Sequence, residues 1–227
     1  MATLYNPRIV TDGLVLCLDA ANVKSYPGSG TTWYDLSGKG NNATLYNGPT
    51  FSNGRCYFNG TDEYAAINFD STNFTFDYEQ TIMIVLEPDE SDGNRRNPYN
   101  QAFGGAGTWT HEPFGSINYY YGTNGGNGSP YTNLTSATVL QNEVAIMATT
   151  RKSNEFRRWY KNGTITYDGS GSVYTQVTTG TQPIWIARGY VGYYLGYIDY
   201  IAVYNKALST QEIKQNFQAL RGRYGIW

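Results

Sequence analysis

Ile82-Met83-Ile84-Val85-Leu86 is apolar at every position. Successive side chains of a strand point to opposite faces, so a strand with one wet face alternates apolar and polar residues. An unbroken apolar run between polar segments therefore reads as a strand covered on both sides, the central strand of a sandwich. Working outward, Leu14, Leu16 and Leu18 share one face of a second strand. Shorter strands are predicted at Ala43 to Tyr46, Cys56 to Phe58, Tyr64 to Ile67, Ser116 to Tyr121, Val144 to Thr150, Pro183 to Ala187 and Tyr197 to Tyr204, with Gly, Asn and Pro between them. Phe156 to Thr166 reads as a hairpin turning at Lys161-Asn162-Gly163-Thr164, because Asn-Gly supplies the positive φ of a two-residue turn. Residues 25–42 and 87–113 read as irregular loops, and residues 1–13 as an extended arm. Short strands without intervening helices indicate an antiparallel sandwich or barrel.

The C-terminal end differs in kind. Ser209-Thr210-Gln211-Glu212 has the pattern of a capping box, with the Ser209 side chain and Glu212 exchanging hydrogen bonds with each other's backbone. Ile213, Phe217 and Leu220 then recur at helical spacing, and Gly222 supplies a stop. A short amphipathic helix over 209–221 is expected to pack on the sandwich.

The chain of 227 residues fits one large all-β domain, 14–227, after the arm. A formal charge of −2 offers no basic surface for nucleic acid. No apolar stretch approaches the length of a membrane span. The start, Met1 to Arg8, lacks a basic region followed by an apolar run, so no signal peptide is expected. Synthesis in a cytosol follows from that reading. Cys17 and Cys56 lie in separate apolar segments. They either bridge neighbouring strands or remain two buried thiols, and a reducing site of synthesis favours the thiols.

Several segments resemble the laminin-G-like, concanavalin A-like lectin/glucanase domains of bacteriophage virion proteins. They are Arg8-Ile-Val-Thr-Asp-Gly-Leu-Val-Leu-Cys-Leu-Asp19, Ser25-Tyr-Pro-Gly-Ser-Gly-Thr-Thr-Trp33-Tyr-Asp35-Leu-Ser-Gly38, Asn41-Asn-Ala-Thr-Leu45, Asn47-Gly-Pro-Thr-Phe51, Phe58-Asn-Gly-Thr-Asp62-Glu-Tyr64 and Tyr197-Ile-Asp199-Tyr-Ile-Ala-Val-Tyr204-Asn-Lys-Ala-Leu-Ser209. The resemblance implies an antiparallel two-sheet jelly-roll sandwich. It also implies a structural calcium, which many family members hold with carboxylates and loop carbonyls. Asp35, Asn59 and Asp62 stand in glycine-containing loops, and Asp199 shares a strand face with Ile201 and Val203. A carboxylate on a buried face needs a cation or several donors, and calcium accepts mixed oxygen ligands. The alternative is Asx-turns at Asp35 and Asp62, with Asp199 bonded to backbone N–H groups. The family usually carries a second acid after that aspartate, where this chain has Tyr200.

Catalytic chemistry is not expected. Glucanases of this fold place two carboxylates on one strand face. The nearest acidic cluster, Glu87-Pro88-Asp89-Glu90-Ser91-Asp92, contains a proline and reads as a solvated loop. His111 is the single histidine and has no recognisable Ser and Asp companions. Binding is better supplied. Tyr119, Tyr120 and Tyr121 lead into a Gly/Asn loop that ends near Tyr131, and Tyr190, Tyr193, Tyr194 and Tyr197 form a second aromatic group. Trp109 and His111 are possible companions. Tyrosine offers an apolar face and a hydroxyl, which suits sugar stacking or a protein interface, while strand tyrosines packing their own sandwich are the bland alternative. Arg151, Lys152, Arg157 and Arg158 make a basic group on one hairpin. Tyr224, Ile226 and Trp227 end the chain with apolar surface suited to assembly contacts.

Two functions are carried forward. One is a non-enzymatic phage virion structural or decoration protein on the virion surface, made in the host cytoplasm. Its partners would be capsid, neck or tail proteins or further copies of itself. The other is a carbohydrate-binding lectin domain adhering to host-surface or environmental polysaccharide.

Overall fold

The computed structural model describes residues 7–68, 70–89, 93–101, 107–122, 131–170 and 182–226. In chain order its strands are β1 (Leu14–Asp19), β2 (Thr32–Trp33), β3 (Ala43–Tyr46), β4 (Thr50–Ser52), β5 (Arg55–Asn59), β6 (Tyr64–Ile67), β7 (Glu79–Pro88) and β8 (Arg96–Gln101). There follow β9 (Thr108–His111), β10 (Ser116–Gly122), β11 (Tyr131–Thr138), β12 (Ala145–Lys152), β13 (Phe156–Lys161), β14 (Thr164–Ser170), β15 (Ile184–Ile186) and β16 (Leu195–Tyr204). The first sheet runs β14-β13-β12-β7-β16-β5-β4, with β1 also on β16. The second runs β11-β10-β9-β8-β15-β6-β3-β2. All of these strand pairs are antiparallel. This is the expected jelly-roll-like sandwich.

The apolar run does what its pattern predicts. β7 lies between β12 and β16. Ile82, Ile84 and Leu86 enter the core between the sheets, while Met83 and Val85 enter a second core on the outer side of the first sheet. The helix α1 (Thr210–Leu220) closes that second core with Ile213, Phe217 and Leu220. Its capping box is complete: Glu212 N–H donates to Ser209 Oγ, and Ser209 N–H donates to Glu212 Oε2 at 2.8 Å. The helix ends otherwise than expected. A 3-10 turn over Arg221–Tyr224 prolongs it, so Gly222 lies inside that turn and Gly225, at φ 65°, closes it.

The arm is tied down where it is described. Val10 N–H donates to Asn216 Oδ1 at 2.7 Å, the Tyr204 hydroxyl donates to Val10 O, and Gln215 donates to Arg8 O. Val10 and Tyr204 are part of the second core, whereas residues 1–6 lie outside the described set. The Asn162-Gly163 turn has φ of 51° and 75° and joins Lys161 to Thr164 in register. A Cβ on Gly163 would stand 2.8 Å from the Phe217 ring, so the hairpin tip needs glycine to fit beneath the helix. Cys17 and Cys56 are free and buried, one in each core.

The loop expected over 87–113 contains β8 and β9. Their polar composition hid them: Asn97, Asn100, Gln101, Thr108 and Thr110 are all buried. Pro98 sits at the register irregularity between Arg96 and Tyr99, the kind of place where a strand tolerates proline.

Candidate functional site

The second sheet turns Trp33, Leu45, Ala65, Tyr99, Trp109, Tyr119, Ile184 and Ile186 into the core between the sheets. Alternation then sends their neighbours outward. Tyr46 and Tyr64 are directly opposite in register on β3 and β6, and their rings stack at 4.6 Å with planes 5° apart. Trp185 of β15 pairs with Ala66 and is half-buried. Tyr193 stands 6.2 Å from Tyr64. Four rings from separate parts of the chain thus form one outward platform.

A loop after β15 carries the charge of this platform. Ala187 takes φ 62°, an unusual conformation for a residue with a Cβ, and turns the chain back so that Arg188 bridges Tyr193. The loop lies tightly on the sheet: a Cβ on Gly189 would come within 2.5 Å of Asn97. Asn97, fully buried, accepts from Val191 N–H and donates to Trp109 O. The Arg188 guanidinium carbon lies 4.6 Å from the Tyr64 ring centre, 4.7 Å from Trp185 and 5.9 Å from Tyr193. Arg96 supports the loop from behind by donating to Tyr193 O at 3.1 Å.

Farther along the same sheet, Arg95 donates twice to Glu112, at 2.8 and 2.9 Å, and once to the Tyr120 hydroxyl. Asn118 donates to Glu112 and accepts from Thr135. Burial, and then the Glu112 charge, raise the Tyr120 hydroxyl above its ordinary pKa.

The sequence-predicted binding residues divide by strand parity and by layer. Tyr120 and Tyr193 are half-buried and Tyr190 is 73% exposed. Trp109, His111, Tyr119, Tyr121 and Tyr194 are instead buried. Trp109 and Tyr119 pack around Trp159, and Tyr119 donates to Gln80. The ring of His111 pairs with Val139 O. These five are packing residues, a correction to their reading as binding residues. Tyr197 falls on the other side of the molecule, outside the first sheet, where it meets Tyr57. The side chain of Tyr131 lies outside the described residues. Tyr224 and Ile226 pack against the chain's own second core and offer no free anchor, and Trp227 lies outside the described set. Three of the four basic residues of the hairpin are engaged internally: Arg151 is buried against Tyr119 and the carbonyls of Phe76 and Tyr78, Arg158 pairs with Asp168, and Lys152 pairs with Glu155. Reading by sequence missed Tyr46, Tyr64, Trp185 and Arg188.

The residues proposed for calcium do not come together in a shared hydrogen-bond group. The Asp35 carboxylate accepts from the backbone of Cys17, Ser37 and Asn41. Asn59 closes an Asx-turn onto Thr61 and donates to Asp62. Asp199 sits at a bulge of β16, where that strand passes from pairing with β1 to pairing with β5. There it accepts from Cys56 N–H at 3.1 Å and from Arg55 Nε at 2.8 Å. Arg55 also binds Glu87 at 2.7 Å. The countercharge that the buried Asp199 requires is therefore a guanidinium, and among the described residues no three carboxylate, His or Cys side chains gather to hold a metal. The donor set does not fit a calcium ion bound in common.

The sequence matches the family described as the concanavalin A-like lectin/glucanases superfamily over residues 59–214. The chain belongs to this superfamily. No curated protein matches it by sequence. Similar solved structures include the binding domain of Paraclostridial Mosquitocidal Protein 1, at TM-score 0.71 and 15% identity over 91% of this chain and 52% of that one. A botulinum neurotoxin type C structure, whose cell entry depends on two ganglioside molecules, aligns at TM-score 0.74 and 9% identity over 93% and 52%. A Trypanosoma rangeli sialidase with sialic acid aligns at TM-score 0.66 and 16% identity over 91% and 33%. The concanavalin A-like domain thus spans about half the length of the two toxin chains and a third of the sialidase. Identities this low show the shared fold.

Proposed function

We propose that this concanavalin A-like domain binds glycan without catalysis, through the outer face of the second sheet. The observation that carries the reading is the platform of Tyr46, Tyr64, Trp185 and Tyr193. Aromatic faces take up the apolar side of a pyranose, and polar groups at the rim orient its hydroxyls. Among the described residues the acids of the 87–92 cluster and of β16 are engaged in the fold, and residues 90–92 lie outside the described set. Glu87 and Asp199 both hold Arg55, and Asp89 accepts from the Tyr57 hydroxyl at 2.7 Å. A glycan array followed by calorimetry tests the reading. Binding should weaken about tenfold or more in Tyr64→Ala or Trp185→Ala, since each removes a ring of the platform. An array without a ligand, or affinity indifferent to both substitutions, defeats it.

A second, compatible reading places the domain on a phage particle as a decoration protein, displaying its glycan site from the virion surface after synthesis in the host cytoplasm. The exposed pair Phe114 and Leu140 favours it, being 83% and 60% accessible. The two flank a cavity of about 280 Å³ floored by His111 and Gly115. Phe114 is held at φ 68°, a costly conformation for an aromatic residue. Such an apolar outcrop suits contact with another virion protein or a further copy of the chain. Co-sedimentation with particles should fall in Phe114→Ser combined with Leu140→Ser. Unchanged incorporation counts against this face.

A further inference from the structure

We infer that the platform selects glycans bearing a carboxylate, with Arg188 as the group that reads it; this rests on the glycan-binding reading above. Most other arginines described in detail already have an acceptor. Arg55 holds Glu87 and Asp199, Arg95 holds Glu112, Arg158 holds Asp168 and Arg223 holds Asp19. Arg188 has no carboxylate among the described residues and is held by three rings. A guanidinium is planar. Rings cover its faces, while its N–H donors radiate from its edge. The ring contacts therefore hold the group in place without supplying an acceptor for its donors, and what those donors lack is a planar, bidentate acceptor.

The surroundings narrow that acceptor. The chain carries a formal charge of −2, so no general positive field draws anions to the surface. Selectivity has to come from a cation at short range, and Arg188 is the one placed among the rings. Beside it the Tyr46 and Tyr64 rings are stacked face on face, which leaves the edges of the pair and the outer face of the exposed Tyr46 as apolar surface. A ligand satisfying both features has a sugar ring to rest against the tyrosine pair and an in-plane carboxylate to meet Arg188. Uronic acids and sialic acids share that chemistry. The site is also prebuilt: Asn97 straps the loop to the sheet and Arg96 holds the Tyr193 carbonyl, so little ordering is left for binding.

The test compares matched pairs on the intact chain: oligogalacturonate against its carboxyl-reduced form, and sialyllactose against lactose, with a sulfated galactan as a third arm. The wild type should prefer the acid member of at least one pair by about tenfold or more, the scale of a charge-assisted hydrogen bond. Arg188→Lys keeps the charge but loses the planar fork. It should lose most of that preference while retaining the wild-type melting temperature, and Arg188→Ala should abolish the preference. The pair that shows the preference identifies which acid sugar is read. Equal affinity within both pairs overturns the inference and leaves the glycan-binding reading standing. A preference that survives Arg188→Ala, or equal binding of the sulfated galactan, overturns it too. Failure to bind any of these sugars overturns the inference, and the glycan array then decides whether the glycan-binding reading falls with it.

Discussion

The first sheet turns Met83, Val85, Ile146 and Tyr200 outward and seals them beneath α1. The second turns Tyr46, Tyr64 and Trp185 outward, and among the described residues the short loop 188–193 is what folds over them. Both surfaces are rich in apolar area. One is covered by aliphatic and aromatic residues at helical spacing, the other by a guanidinium lying on rings. An outward apolar face serves stability where the chain supplies its own cover, and on the proposed reading it serves recognition where the cover is partial and polar. Substitutions on the two faces should therefore separate stability from binding.

The largest effect belongs to the sealed face. Phe217 packs over the Gly163 turn and is 8% exposed. Phe217→Ala opens a cavity between helix and sheet, and about 4 kcal/mol of stability should go. Urea unfolding followed by tryptophan fluorescence measures it. Glycan affinity of the remaining folded protein should be unchanged. A loss below about 1 kcal/mol would mean that the helix contributes little and the two faces are less different than their packing implies.

Next comes the buried carboxylate at the β16 bulge inside the first sheet. Burial raises Asp199 to about 6, opposed by the Arg55 charge. A folded pKa above the unfolded one means that the proton-linked stabilisation is complete below the ordinary carboxylate range and is lost as pH rises through about 6. Arg55→Met strands the Asp199 charge and should cost about 3 kcal/mol near neutral pH. The cost should shrink in acid, where Asp199 takes up a proton. Urea midpoints on either side of that pKa check the trend, and a cost independent of pH would assign the loss to packing alone. Because Arg55 is the countercharge, a chelator should leave the melting temperature of the wild type unchanged. A fall would revive the calcium expectation.

How much of this was legible in the sequence depends on how local each signal is. The run Ile82 to Leu86, the Asn162-Gly163 turn and the Ser209 capping box each carry their meaning within a few residues, and each appears as read. The tyrosines do not. Tyr119-Tyr120-Tyr121 has an aromatic ring at both strand parities, so composition cannot say that 119 and 121 face inward and 120 outward. The platform is less legible still. Tyr46, Tyr64, Trp185 and Tyr193 meet because β3, β6 and β15 become neighbours, and no short-range pattern announces that pairing. Asp199 shows the converse. The need for a countercharge was readable, but its source, Arg55, arrives from a strand distant in sequence.

A smaller effect is expected at the helix start. Ser209→Ala removes the acceptor for the Glu212 N–H and should cost about 1 kcal/mol. Thermal melting resolves it. The partial rescue expected from Ser209→Asp, another good N-cap residue, would separate a capping loss from a general disturbance of the second core.

The smallest effect on stability falls on the open face, and there it sharpens the comparison most. Tyr46 is 41% exposed and touches Tyr64 across the strand pair. Tyr46→Ala gives up that stack, so about 0.5 kcal/mol of stability should be lost. The same substitution removes half of a stacking surface and should weaken acid and neutral sugars alike, because Arg188 stays in place over Tyr64, Trp185 and Tyr193. The signature is an affinity loss much larger than the stability loss, without a change in preference. If the preference changes as well, Tyr46 helps to orient Arg188 and the platform acts as one unit. If stability falls as far as in Phe217→Ala, the open face is a core in disguise and the division between the two faces does not hold.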